Sequence, residues 1–553
     1  MMPPGTPEVL KEACGWMNNC IDKHPTCGQG SSTRLPSRLV RISSPGEPLW
    51  AKVWETNGVD GQYCALSYCW GRDQKHKTLT SCYEQYKEAL PYSKLPKTIT
   101  DAFHVARSMG MVYIWVDAFC IIQDDRADKE RELSQMMSIY QNALLTISAA
   151  SASGVAEGFL RAPTEAGCIS HLGPFYHPFQ VSKDQFGSVM VVPFRDGPEP
   201  LNRRGWSLQE SFLTPRLLVF TDHMTVWKCH RGFQPRDYEP HNQSRAFLKP
   251  VKVGSLDYRI EWRLWYEQVG YVPTAWWISV ENEALVRLAN RTDEYQESRQ
   301  QLSLWQSIVC QYTERNLSEN RDRLPAISAV AQALSPLSKS NYYAGLWGRY
   351  LVHELQWFYF PTYGQPRFKP ALGPSWSWVT ANEGGSGIHF SICKTVRAEV
   401  ISCETTLVSE NNPYGEVTGG ELVIRGHMQP VGIIRGFTWG CLFDKYGQKY
   451  EGSRFFDDEM SLTPEICTTL RENDGEHKSV EEAWCFVLTD NPGRVMTEDR
   501  DFIPESNSCN MLVLVKVGGG KGQAYKRIGY AEAGAKQHPY WWEASGRKVI
   551  TIV

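Results

Sequence analysis

The chain has 553 residues, 42% hydrophobic and 22% charged, close to ordinary globular usage, so a wholly disordered chain is excluded. At roughly 150 residues per domain, this length suggests about three domains. With 58 basic and 61 acidic side chains the formal net charge is −3, which argues against a protein built to bind nucleic acid or an anionic membrane. No run approaches the roughly 18 apolar residues of a membrane span. Met1 to Pro7 lacks the charged and apolar regions of a secretory signal. The 16 cysteines are scattered and form no CxxC pair, as expected of reduced thiols in a cytoplasmic protein. The 20 tryptophans and 25 tyrosines fit core packing and pocket lining equally well.

Residues 1–60 read as an N-terminal arm, with a short helix from Glu8 to Cys20, a Gly/Ser-rich link at Gly28 to Thr33 and a strand from Arg38 to Ile42. Ala65-Leu66-Ser67-Tyr68 is a short apolar strand entering the Trp70-Gly71 turn. Leu95-Pro96-Lys97-Thr98 starts a helix in which Ala102, Val105, Ala106 and Met109 share one face, and Gly110 stands where a left-handed cap belongs. Tyr113 to Val116 is a buried strand ended by Asp117, a second amphipathic helix spans about 128–141, and Ala143 to Ala150 returns as a strand. This alternation predicts a parallel α/β layer within residues 61–230, where a short helix and the strands Leu217 to Phe220 and Thr225 to Lys228 follow. Residues 231–370 read as mainly helical and 371–553 as β-rich. Gly518-Gly519-Gly520-Lys521 lacks the Ser/Thr of a phosphate loop and reads as a hairpin turn. Trp376 and Trp378 read as core packing.

Three segments carry a resemblance. They are Tyr63 to Gly71 (YCALSYCWG), Leu95 to Ile99 (LPKTI) continuing to Tyr113 to Asp125 (YIWVDAFCIIQDD), and Arg204 to Glu210 (RGWSLQE) followed by Thr214-Pro215-Arg216. In order and spacing they resemble the fungal heterokaryon incompatibility (HET) domain, and looser similarity covers nearly the whole chain. The resemblance implies a TIR/flavodoxin-like parallel sheet core, helical insertions and a β-rich C-terminal region. It implies a cytoplasmic effector of fungal allorecognition and programmed cell death, a form of innate immunity, with self-association on activation and an incompatibility partner protein. It also implies a distant similarity to TIR domains, some of which cleave the nicotinamide–ribose bond of NAD. NAD would then be a substrate, with no cofactor required. Two other classes stay open: a small-molecule metabolic enzyme of cyclase or hydrolase type on the same scaffold, and a non-catalytic signalling module.

Asp117 ends a parallel strand, and ligand crevices of open α/β sheets lie outside such carboxyl ends. Glu132, where the family pattern has a glutamate, falls about 90° from the apolar face of its helix, at the rim between core and solvent. Either carboxylate could stabilise the oxocarbenium-like centre of glycosidic cleavage, because nicotinamide leaves neutral and needs no strong general acid. The alternative for each is structural: Asp117 capping the next turn, Glu132 paired with a surface cation. Lys129 stands where the family pattern places a tryptophan, which puts an aromatic pocket wall in doubt. Arg203, Arg204, Trp70 and Gln209 are candidates to bind NAD, the arginines through its phosphates or else paired with Glu210. Cys120, in an apolar run, reads as an inert buried thiol. Cys14, Cys20, His24 and Cys27 are weak zinc candidates, since their spacing is not that of known fingers.

Overall fold

A computed structural model describes residues 4–28, 30–72, 74–161, 175–182, 185–191, 199–222, 225–230, 232–235, 294–359, 372–381, 387–391, 395–434, 441–443, 454–457, 481–491, 495–496, 502–503, 508–517, 524–534 and 545–553. The glycine run at 518–521 and most of 231–293 lie outside them. The chain divides into two compact units, Met1–Asn290 and Arg291–Val553. The protein is a mixed α/β molecule with several sheets.

The first unit begins with α1 (Pro7–Lys23), which buries Val9, Leu10, Ala13, Met17 and Cys20 at helical spacing. Its strands are β1 (Thr33–Arg34), β2 (Arg38–Ile42), β3 (Ala51–Glu55), β4 (Asp60–Gly61), β5 (Cys64–Ser67), β6 (Tyr113–Trp115), β7 (Leu145–Ser148), β8 (Phe175–Ser182), β9 (Gln185–Val191), β10 (Arg216–Phe220), β11 (Thr225–Cys229) and β12 (Gly232–Pro235). Among the described residues eight of them form one sheet in the order β12-β11-β10-β7-β5-β6-β2-β3, while β1 pairs with β4 and β8 with β9. The expected parallel layer is its centre: β6, β5, β7 and β10 run parallel. The flanks are antiparallel, because β2 is joined to β3, and β10 to β11, by connections too short for a crossover. Thus the first 60 residues contribute β2 and β3 to the sheet.

The crossover helices follow the sequence pattern. The helix α3 (Lys97–Ser108), which α2 (Tyr83–Glu88) precedes, buries Ile99, Ala102, Phe103, Val105 and Ala106, and Gly110 has the left-handed φ of +77° that a helix-ending glycine supplies. After β6 come α4 (Asp117–Cys120), α5 (Arg126–Ser134) and α6 (Met136–Asn142). The expected single helix over 128–141 is therefore two, broken at Gln135. The break separates two buried faces of opposite character. On α6 it is Met136, Ile139 and Tyr140; on α5 it is Asp128 and Glu132, one turn apart. The helix α7 (Trp206–Leu213) leads back into β10.

Among its described residues the second unit has two longer helices, Glu294–Thr313 and Pro325–Ser338, and the expected β-rich end. Its strands are β13 (Tyr342–Tyr343), β14 (Leu346–Trp347), β15 (Trp357–Tyr359), β16 (Ile388–Phe390), β17 (Thr395–Val396), β18 (Glu399–Leu407), β19 (Val417–Ile434), β20 (Cys441–Phe443), β21 (Arg454–Asp457), β22 (Glu481–Asn491), β23 (Val495–Met496), β24 (Phe502–Ile503), β25 (Ser508–Val517), β26 (Ala524–Gly534) and β27 (Arg547–Ile552). The pairings β22–β25, β25–β26, β26–β27, β27–β19 and β19–β22 close on themselves, so five strands form a ring without an open edge. Trp376 and Trp378 are fully buried, as expected, Trp376 in a turn and Trp378 at the start of a 3-10 segment (Trp378–Thr380). Trp378 and Trp305 both donate from Nε1 to the Gly345 carbonyl at 3.0 Å. Gly345 has φ +97°, and a Cβ there would lie 2.6 Å from Trp378 Nε1, so the β13–β14 turn requires glycine twice over.

Candidate functional site

The parallel strands β5 and β6 end side by side, and the residues just beyond them form a polar cluster. Asp117, half-buried, accepts from Trp70 Nε1 at 2.8 Å through Oδ2 and from the Ala118 amide at 2.6 Å through Oδ1. Arg204 donates through Nη1 to the Tyr68 carbonyl. Ser67 Oγ donates to Glu210 Oε2, and Tyr140 Oη donates to the Leu66 carbonyl at 3.4 Å. The glycine after Trp70 makes the close turn possible: Gly71 has φ +73°, and a Cβ on it would meet Gly154 Cα at 3.0 Å. In that way the loop after β5 packs against the loop after β7.

The electrostatics of the cluster are set by burial. Loss of water pushes the Asp117 carboxyl up from its ordinary range, and Arg204, Trp70 and Tyr68 partly oppose that shift. Desolvation pushes the Tyr68 and Tyr140 phenols up as well, so both are neutral donors near neutral pH. Glu210 and Asp117 hold Arg204 in its cationic form. A cation, a carboxylate and an indole edge thus meet at the end of a parallel sheet. Such a set can bind a phosphate-bearing or polar ligand and stabilise positive charge on it.

Glu132 lies elsewhere. It was expected at the rim of its helix; it is fully buried, because α5 turns its acidic side inward toward β2. Arg38 Nη2 is 2.6 Å from Asp128 Oδ2 and 3.4 Å from Glu132 Oε1, and Arg38 Nε donates to the Cys120 carbonyl at 2.7 Å. Desolvation raises the Glu132 pKa against the pull of Arg38. Cys120, between the two groups of carboxylates, is buried and its thiol is pushed up to about 12, as an inert thiol requires. Lys129 is exposed and takes no part in core packing.

Of the remaining candidates, Trp70 and Arg204 join Asp117, while Arg203 is exposed. Gln209 is 1% exposed, and neither amide atom has a hydrogen-bond partner among the described residues. Asp124 accepts from the Thr80 amide at 2.8 Å, and Asp125 caps α5 by accepting from the Asp128 amide at 3.1 Å. Cys20, His24 and Cys27 come together, but Cys14 does not; its thiol donates to the Ser108 carbonyl at 3.3 Å. Sequence reasoning missed Tyr68, Tyr140 and Arg38 as site and cluster residues. Tyr68 sits inside a motif already noted, whereas Arg38 looks in sequence like any strand arginine. A separate groove of about 600 Å³, lined in part by Thr6, Lys97, Asp101, His104 and Arg107, shares no residue with the Asp117 cluster.

The fold and cluster define an α/β protein with a polar site at the carboxyl ends of parallel strands. Residues 63–210 match the family described as heterokaryon incompatibility protein (HET), and this stretch holds the three motifs from Tyr63 to Glu210. The chain carries a HET domain, which points to a role in heterokaryon incompatibility. No curated protein and no solved structure matches the chain. No helix among the described residues is long and apolar enough to cross a membrane.

Proposed function

We propose that the chain is an effector of heterokaryon incompatibility whose HET domain hydrolyses the nicotinamide–ribose bond of NAD at the Asp117 cluster. The observation that carries the site is the position of Asp117: half-buried, at the carboxyl end of a central parallel strand, beside Trp70 and in the field of Arg204. The order β6-β5-β7-β10 is second-first-third-fourth in the chain, as in flavodoxin-like sheets, and supports a TIR/flavodoxin-like reading of the core. In the reaction the bond from ribose C1′ to the pyridinium nitrogen breaks, and its electron pair leaves with neutral nicotinamide. Water oxygen bonds to C1′, its proton passes to the Asp117 carboxylate or to solvent, and ADP-ribose is formed. The ionised Asp117 stabilises the developing oxocarbenium charge, and Arg204 pairs with a phosphate of the substrate. Glu132 serves in this reading as a positioning residue that holds Arg38 and the loop after α4. Self-association and an incompatibility partner belong to the same proposal.

The test incubates the purified full chain with NAD and follows nicotinamide release. The parent releases nicotinamide, Asp117→Asn lowers the rate by about 100-fold or more, and Glu132→Gln changes it by only a few-fold per folded molecule. Equal rates for Asp117→Asn and the parent overturn the site. No release by the parent, free or assembled, removes the NAD reading. Expression in fungal cells then decides the effector role, since death caused equally by the parent and by Asp117→Asn marks a non-catalytic signalling module.

A further inference from the structure

The strongest unassigned cluster lies away from the Asp117 site, where α1 packs against β11. Cys20 is in the last turns of α1, and its carbonyl accepts from the His24 amide at 3.0 Å. The chain then turns sharply: the Cys27 amide donates to the His24 carbonyl at 2.9 Å, and the Gly28 amide to the Pro25 carbonyl at 3.1 Å. This 3-10 turn (Pro25–Cys27) points Cys27 back toward Cys20 and His24. The fourth member comes from far along the chain. Cys229, the last residue of β11, places Sγ 3.4 Å from His24 Nδ1. The ligand atoms of Cys20, His24, Cys27 and Cys229 all lie within 4.8 Å of one another.

We propose that Cys20, His24, Cys27 and Cys229 form a structural zinc site that clamps the N-terminal helix to the sheet. Tetrahedral zinc with metal–sulfur bonds of about 2.3 Å separates its sulfurs by about 3.8 Å, which suits this spacing and leaves room for one ion but not for a cluster. Three thiolates and an imidazole are a zinc set by softness and geometry, and four protein ligands close the site, as in structural rather than catalytic centres. All three cysteines are buried and free of disulfides. Thiolates and ion together carry one net negative charge. Arg216 lies directly opposite Cys229 across the β10–β11 ladder and donates to the Gly28 carbonyl, which places a buried cation beside the ligand loop. Because its ligands lie about 200 residues apart, the ion closes a long loop and its binding energy becomes folding energy.

The experiment measures metal content by mass spectrometry on the full chain expressed with zinc, then reconstitutes the chelator-treated protein with cobalt(II). The parent and Cys14→Ser carry about one zinc per chain, while Cys229→Ser and Cys20→Ser fall below about a tenth. Cobalt gives the intense visible bands of a tetrahedral thiolate site. A parent without stoichiometric zinc, a disulfide among the three thiols, or full zinc retained in Cys229→Ser overturns the proposal. Should the serine variants not fold, the metal content and cobalt spectrum of the parent decide it. None of these readouts depends on NAD cleavage.

Discussion

Asp117 and Glu132 face the same physical force and come to different ends. Burial raises both pKa values, against the pull of Arg204 on Asp117 and of Arg38 and Arg131 on Glu132. Asp117 keeps an opening, two donors to its oxygens and a place beside the strand ends. Glu132 has lost all contact with solvent, and Arg38 holds it together with Asp128. A raised carboxyl pKa therefore does not by itself mark a reactive group. What separates the two is whether space and donors remain for a ligand once the protein's own ion pairs are made.

The widest test of this contrast is Arg38→Met. It leaves the buried Asp128 and Glu132 with only the more exposed Arg131 as a cation and costs about 3 kcal/mol, read as a lower denaturation midpoint of the first unit. A cost near that of a surface mutation would mean that the ion cluster does not hold α5 in place. At the other cluster, Trp70→Phe removes the indole donor to an ionised carboxylate, worth about 1.5–3 kcal/mol to the charged form. The Asp117 titration, followed by NMR of the carboxyl carbon, should move further upward; an unchanged titration would detach Trp70 from Asp117.

The pH dependence gives a finer comparison. A carboxyl whose folded pKa is raised binds more protons folded than unfolded, so its contribution is complete below the ordinary carboxylate range and is lost as pH rises through the folded value. Glu132→Gln and Asp117→Asn should each flatten the loss of stability above about pH 4.5, and a slope unchanged in both would contradict the burial argument. The smallest effect belongs to Gln209→Met. The buried amide has no hydrogen-bond partner among the described residues, so replacing it with an apolar chain of similar size should be neutral or stabilising by up to about 1 kcal/mol. A clear loss of stability would show that the amide is paired within the protein, and a loss of NAD binding alone that it meets the ligand.

Periodicity placed most of the helices and strands around these clusters. The apolar spacing of Ala102, Val105 and Ala106, and the glycine at 110, describe α3 before any coordinates. The inward face of α5 was not legible, since Asp128 and Glu132 look like a solvated stripe until Arg38 arrives from another strand. The same holds for the metal candidates, where Cys20, His24 and Cys27 stand close in sequence but Cys229 does not.

By itself, the order of residues determined the α/β alternation of the first unit, the β-rich end of the second, and the motifs that mark the HET domain. Backbone preference and apolar spacing act over a few residues, so they can be read locally. Only the tertiary structure decided which carboxylate stays accessible and which cysteine joins Cys20, His24 and Cys27. Both depend on partners brought together over long stretches of chain, and water is excluded only once those partners meet.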